Sequence, residues 1–193
     1  RLAATLAALA LPGAAGRGPA AVVLLGPSGS GKSETGNTLL NGSVFKVSGG
    51  LESETMIPSA HLVAVDGRDW QVVDTPGYFD TSRSPEELAS ALERFSEIVS
   101  DHIVALAFVV PYGRFGDAHI RGWRLVRGAF GAAAMRHTVL LFTSCGTRTE
   151  EDVRAETARL CAKEPPPMLC SVLEDLGGAA GGDGAGRIVT FGA

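Results

Sequence analysis

Three short stretches are dominated by apolar residues: Ala20 to Leu25, Ile103 to Val110 and Thr138 to Phe142. Runs of this length, bounded by glycine, proline or polar residues, read as strands buried on both faces of a sheet. Two further strand patterns, His61 to Val65 and Trp70 to Val73, flank Asp66-Gly67, a hairpin turn signal. A last strand is expected from Ile188 to Phe191.

Helical patterns fill the intervals. Lys32 to about Asn41 reads as a helix stopped by Asn41-Gly42. Ser84-Pro85-Glu86-Glu87 has a serine cap with proline at the first helical position, and Leu88, Leu92, Phe95 and Val99 then form an apolar stripe. Asp117 to about Phe130 is helical, and Thr149-Glu-Glu-Asp152 opens another helix that Pro165-Pro-Pro167 breaks. A short helix is expected over Ser171 to Leu176, followed by a flexible glycine-rich insert from Gly177 to Gly186. Strands alternating with helices predict a mostly parallel α/β sheet covered by helices on both faces, a three-layer sandwich.

At 193 residues the chain suits one such domain, assigned to residues 20–193, after an N-terminal segment 1–19. That segment, rich in alanine and leucine with no initiator methionine, reads as the end of a targeting segment or as a short amphipathic helix of a fragment or processed product. A formal charge of −4 gives no reason to expect binding to nucleic acid. No run reaches the roughly 18 apolar residues of a membrane-spanning helix. Cys145, Cys161 and Cys170 show no CxxC spacing, so unpaired thiols in a reducing compartment are expected. The four histidines lack metal-ligand spacing and read as surface or packed imidazoles.

The chemistry concentrates behind the first strand. Gly26-x-x-x-x-Gly31-Lys32-Ser33 fits the phosphate-binding P-loop in full. Its glycines let successive backbone N–H groups converge on an anion, and the helix beginning at Lys32 adds the positive end of its dipole. Lys32 is expected to reach the β- and γ-phosphates and the Ser33 hydroxyl to ligate Mg2+. Asp74-Thr75-Pro76-Gly77 follows a strand, so Asp74 falls at a C-terminal strand edge as a second magnesium residue. Gly77 can meet a γ-phosphate through its N–H and release it when that phosphate leaves. Thr55, with Ser53 as competitor, is expected to complete the magnesium shell from the loop upstream.

Gly-x-Ser-Gly-x-Gly-Lys-Ser-x-Thr-Gly-Asn-Thr-Leu-Leu and then Val73 to Thr81 resemble the AIG-type GTPases, which include the immunity-associated GIMAP proteins and, more distantly, the plastid import receptors. Pro111-Tyr-Gly-Arg-Phe115 resembles a box peculiar to that family, and Phe142-Thr143 falls where its base-recognition motif begins. The resemblance implies a slow GTPase switch that binds GTP and GDP with Mg2+, pairs as a homo-oligomer through its nucleotide face, and works in the cytosol or on the cytosolic face of an organelle membrane. Plastid targeting stays open, and membrane contact would come through flanking segments. The implied nucleotide-binding residues are Gly26, Ser28, Gly29, Ser30, Gly31, Lys32, Ser33, Glu34, Asp74, Thr143 and Ser144; Lys32, Thr55 and Gly77 are the catalytic candidates.

Two departures from the pattern matter. Gly146 stands where guanine-reading loops carry an acid, and Ser144 where they carry a basic residue. Loss of that carboxylate would cost about 2–4 kcal/mol of base discrimination. The sequence also stops at Phe191-Gly-Ala193, where relatives carry further base contacts. Tyr78 occupies the slot after Gly77 where many GTPases place a water-orienting glutamine, which predicts slow turnover. Arg114 is expected to pair with Asp117, with transition-state stabilisation as its other reading. A non-hydrolysing nucleotide scaffold of relaxed base specificity is the alternative, and a small-metabolite phosphotransferase a third.

Overall fold

The computed structural model describes residues 18–47, 58–75, 85–99, 102–177 and 188–190. Strands β1 (Ala20–Leu25), β2 (Ser59–Val65), β3 (Arg68–Asp74), β4 (Ile103–Pro111), β5 (Thr138–Thr143) and β6 (Ile188–Thr190) form one sheet in the order β2-β3-β1-β4-β5-β6. Only β2 runs antiparallel, against β3; every other pairing is parallel. The hairpin between them turns through Asp66 (φ 51°) and Gly67 (φ 74°), the left-handed pair that Asp-Gly supplies at least cost.

The helices are α1 (Lys32–Leu39), α2 (Pro85–Ile98), α3 (Asp117–Ala134), α4 (Glu150–Cys161) and α5 (Met168–Asp175). Alternate strand residues feed two hydrophobic layers. Val23, Leu25, Leu106, Phe108, Val110, Leu140 and Phe142 join Phe95 of α2, Trp123 and Val126 of α3, Val153 of α4, and Leu169 and Val172 of α5. Val22, Leu24, Ala107, Val109, Val139 and Leu141 lie on the opposite face with Leu39 of α1 and Phe45. The doubly covered, mostly parallel α/β sheet is therefore the one the sequence predicts.

Polar contacts fasten the outer layer to the sheet. Trp123 donates its indole N–H to Asp175 (2.8 Å), and Arg127 pairs with the same carboxylate at 2.8 Å, so α3 and α5 are tied twice. Thr149 and Asp152 form a reciprocal cap at the start of α4, as Thr149-Glu-Glu-Asp152 predicts. Arg154 reaches from α4 to the Ile188 carbonyl of β6 (3.1 Å). The expected end of α3 near Phe130 corresponds to a break at Gly131, whose φ of 76° interrupts the helix before its last residues.

Several expectations need correction. Cys161 and Cys170 form a disulfide, with 5.6 Å between their Cα atoms. Cys161 ends α4, the chain turns through Pro165-Pro166-Pro167, and α5 starts at Met168, so a spacing of nine residues is folded back on itself. The pairing removes the ground for assigning a reducing compartment; Cys145 is buried and takes no part in a disulfide. α5 begins three residues before the expected Ser171, because Pro167 caps it rather than merely ending the preceding helix. Arg114 is exposed and forms no ion pair with Asp117 among the described residues. Of the stripe expected on α2, Phe95 and Val99 face the core; the side chains of Leu88 and Leu92 lie outside the described ones, as does the Ser84 cap. None of the described helices is long and apolar enough to cross a membrane.

Candidate nucleotide-binding site

β1 delivers the glycine turn to the C-terminal edge of the sheet. A Cβ at Gly26 would stand 2.6 Å from the Val109 carbonyl oxygen, so the loop passes against β4 at a distance only glycine allows. Gly31 caps α1 in the left-handed region (φ 93°), and a Cβ there would meet the Thr143 side chain at 3.3 Å. Between them the loop curls so that Ser30 N–H donates to Pro27 O (3.3 Å) and the buried Lys32 ammonium donates to the same carbonyl (2.9 Å). Ser28, Gly29 and Glu34 are exposed around this curl.

Across the loop, Ser33 Oγ donates to Asp74 Oδ2 at 2.6 Å. Asp74 closes β3, in register with Leu24 of β1, and the next residue, Thr75, donates its hydroxyl to Leu24 O (2.7 Å). Asp74 is 1% exposed. Burial pushes its carboxyl above the ordinary range, against the opposing pull of the Ser33 hydrogen bond and the Lys32 charge. Its Oδ1 is buried and meets no hydrogen-bond donor among the described residues, and the Ser30 and Thr35 hydroxyls are likewise buried without a partner there. A buried carboxylate oxygen lacking a donor, next to a serine hydroxyl, is an all-oxygen donor set that suits Mg2+.

The expected base-recognition loop joins the phosphate loop directly. Thr143 Oγ1 donates to Ser30 O at 3.0 Å. Ser144 (φ 58°) and Gly146 (φ 61°) are both left-handed and exposed, and nothing lies within 4 Å of a Cβ built on Gly146. Tyr112 was missed as a neighbour of this loop. Its N–H donates to Thr143 O (2.8 Å), its hydroxyl donates to Glu156, and the Arg148 guanidinium lies 4.8 Å over its ring. Asn37 was missed too, because a helical asparagine bonding to a loop backbone leaves no periodic signal in sequence.

The structure therefore brings Gly26, Ser30, Gly31, Lys32, Ser33, Asp74 and Thr143 together, with Ser144 on the adjoining turn. Thr55, its competitor Ser53, Gly77 and Tyr78 lie outside the described residues.

A model of the AIG1 family matches residues 20–178, most of the chain. The chain belongs to the AIG1 family. Among its relatives, GTPase IMAP family member 8 of Rattus norvegicus is 30% identical over 156 residues, covering 81% of this chain and 22% of that protein. Immune-associated nucleotide-binding protein 7 of Arabidopsis thaliana is 32% identical over 124 residues, covering 63% of this chain and 40% of that protein. The chain thus spans less than half the length of these curated relatives. The fold is shared with crystal structures of Toc33 from Arabidopsis thaliana: the complex with GDP and Mg2+ has a TM-score of 0.63 at 18% identity, covering 91% of this chain and 70% of that one. A structure of the chloroplast translocon components atToc33 and psToc159 gives a TM-score of 0.62 at 20% identity, covering 91% of this chain and 69% of that one.

Proposed function

We propose that this AIG1-family domain binds guanine nucleotide with Mg2+ and hydrolyses GTP slowly, as a switch. The observation that carries the reading is the Ser33–Asp74 pair under the P-loop, with the second Asp74 oxygen buried and meeting no donor among the described residues. Magnesium held by Ser33 and Asp74 would neutralise charge between the β- and γ-phosphate oxygens. The P-loop amides and the start of α1 bind and orient the phosphates, and Lys32 moves from the Pro27 carbonyl to the phosphate oxygens. Thr55 would join Ser33 and Asp74 in holding the magnesium, and the Gly77 N–H would meet the γ-phosphate. Tyr78 cannot orient water as a carboxamide does, which keeps turnover slow.

Pairing of two copies through the nucleotide face is part of the proposal. It is supported by the structural neighbours atToc33 and psToc159, for whose GTPase activity dimerisation is important. A place in the cytosol or on the cytosolic face of an organelle membrane is also part of the proposal, and the likeness to chloroplast translocon components supports the association with an organelle membrane.

Equilibrium binding of fluorescent GTP, GDP and ATP analogues, with and without Mg2+, tests the reading. Magnesium-dependent guanine binding that Lys32→Ala abolishes is the expected result; indifference to Lys32→Ala overturns it. One observation favours a scaffold with relaxed base choice: Gly146 is exposed with no side chain to read guanine. Under that reading wild type binds GTP and ATP alike, never turns either over, and gains guanine preference in Gly146→Asp.

A further inference from the structure

Asn37 takes no part in the phosphate cradle, yet three hydrogen bonds hold its side chain. Its Oδ1 accepts the N–H groups of Val44 (2.9 Å) and Phe45 (2.7 Å), and its Nδ2 donates to Phe45 O (2.8 Å). Gly36, beside it, opens the slot that Phe45 fills: a Cβ there would stand 2.5 Å from the ring. Phe45 is 5% exposed and meets the His61 ring edge-on, with centroids 5.0 Å apart. His61 sits on β2 opposite Val72 of β3, two residues before Asp74.

These contacts close a circuit. Ser33 and Asn37 are four residues apart on α1 and therefore share a face, one turn above the other. Ser33 reaches the end of β3 directly through Asp74. Asn37 reaches the β2 strand of the same hairpin, through Phe45 and His61. A helix held at both turns cannot rotate about its axis or slide along the sheet without breaking one of the two attachments.

We propose that Asn37 is a positioning residue for the Ser33–Asp74 pair, bracing α1 against the β2–β3 hairpin through Phe45 in the slot left by Gly36. The competing view is that Asn37 only closes the loop after α1, stabilising the fold without influence on Ser33. The brace itself needs no nucleotide; its consequence for magnesium rests on the function proposed above.

Two measurements decide between them. The first is a double-mutant cycle on urea midpoints in nucleotide- and magnesium-free buffer, with Ser33→Ala, Asn37→Ala and the double variant. If the brace holds Ser33, the midpoint shift caused by Ser33→Ala falls to less than half in the Asn37→Ala background; additive shifts overturn the proposal. The second is the Mg2+ concentration that half-saturates retention of bound fluorescent GDP. It rises tenfold or more in Asn37→Ala and less in Asn37→Asp, which keeps the acceptor oxygen. It stays unchanged in Val126→Ala, a truncation in the opposite hydrophobic layer; an equal rise in Val126→Ala and Asn37→Ala overturns the link to magnesium. Should Asn37→Ala not fold, Phe45→Leu replaces it in both arms. A wild type that binds no guanine nucleotide would refute the proposed function, and the cycle alone would then decide the brace.

Discussion

Thr143 at the end of β5 donates its hydroxyl to the backbone carbonyl of Ser30 in the P-loop, 3.0 Å away. The loop expected to read the base and the loop expected to hold the phosphates are thus one bonded unit, although 113 residues separate them in sequence. Replacing Thr143 with valine keeps the shape and removes the donor. Stability should fall by about 1 kcal/mol, the usual net worth of such a bond. Affinity for GDP and GTP analogues should fall together, by roughly the fivefold that this energy represents. Parallel urea unfolding and nucleotide titration would show it; a loss confined to one of the two nucleotides would mean that Thr143 acts elsewhere.

Gly26→Ala is a severe change for a one-carbon addition. The new methyl would lie 2.6 Å from Val109 O on a backbone at φ 141°. Collision and strain together should cost more than about 2 kcal/mol. Urea midpoints would drop accordingly, and any folded fraction should bind phosphate poorly.

The Cys161–Cys170 bridge closes a short loop between α4 and α5. By loop-closure entropy it should contribute about 2–3 kcal/mol. Dithiothreitol and Cys161→Ser should therefore lower the melting temperature by the same amount, and reductant should leave the variant unaffected. Thiol titration of the native protein under denaturing, non-reducing conditions should find one free thiol, Cys145.

Asp74 makes a pH prediction with a definite sign. Its folded-state pKa is raised, chiefly by burial, so between the unfolded and folded values the native state holds a proton that the unfolded state has released. Stability measured in a chelator should therefore fall as pH climbs from the ordinary carboxylate range through the folded value, then level off. Asp74→Asn should flatten that part of the profile and abolish magnesium-dependent nucleotide retention. A profile identical to wild type would mean that another group sets the slope.

What could be read from sequence was whatever obeys a local rule. Val22, Val23, Leu24 and Leu25 alternate between two covered faces, so their run signals a central strand without knowledge of the partners. Gly26, Gly31, Lys32 and Ser33 fall at fixed spacing because a backbone cradle around an anion permits few arrangements. Asp66-Gly67 carries its own backbone signature. The bridge between Cys161 and Cys170 depends on how a triple proline folds the chain back, which spacing alone does not encode. Tyr112 bonds to segments brought near only by the finished sheet, Asn37 bonds to a loop just after α1 whose course carries no periodic signal, and the pairing expected between Arg114 and Asp117 ignored that both residues are exposed.

The strand order carries a cost during synthesis. β1 precedes the other five strands of the sheet in the chain, yet it lies in the interior, between β3 and β4. Its pairing with β4 joins Ala21 to Ile103, 82 residues further along. At roughly 5–20 residues per second, a ribosome needs about 4–16 s to make that stretch. For those seconds an apolar segment waits outside the exit tunnel with its β4 edge unpaired even after β3 has emerged to cover the other, a state in which chains adhere to one another. Chaperone demand in translation should accordingly track the spacing between β1 and β4, independently of the stability the finished domain attains.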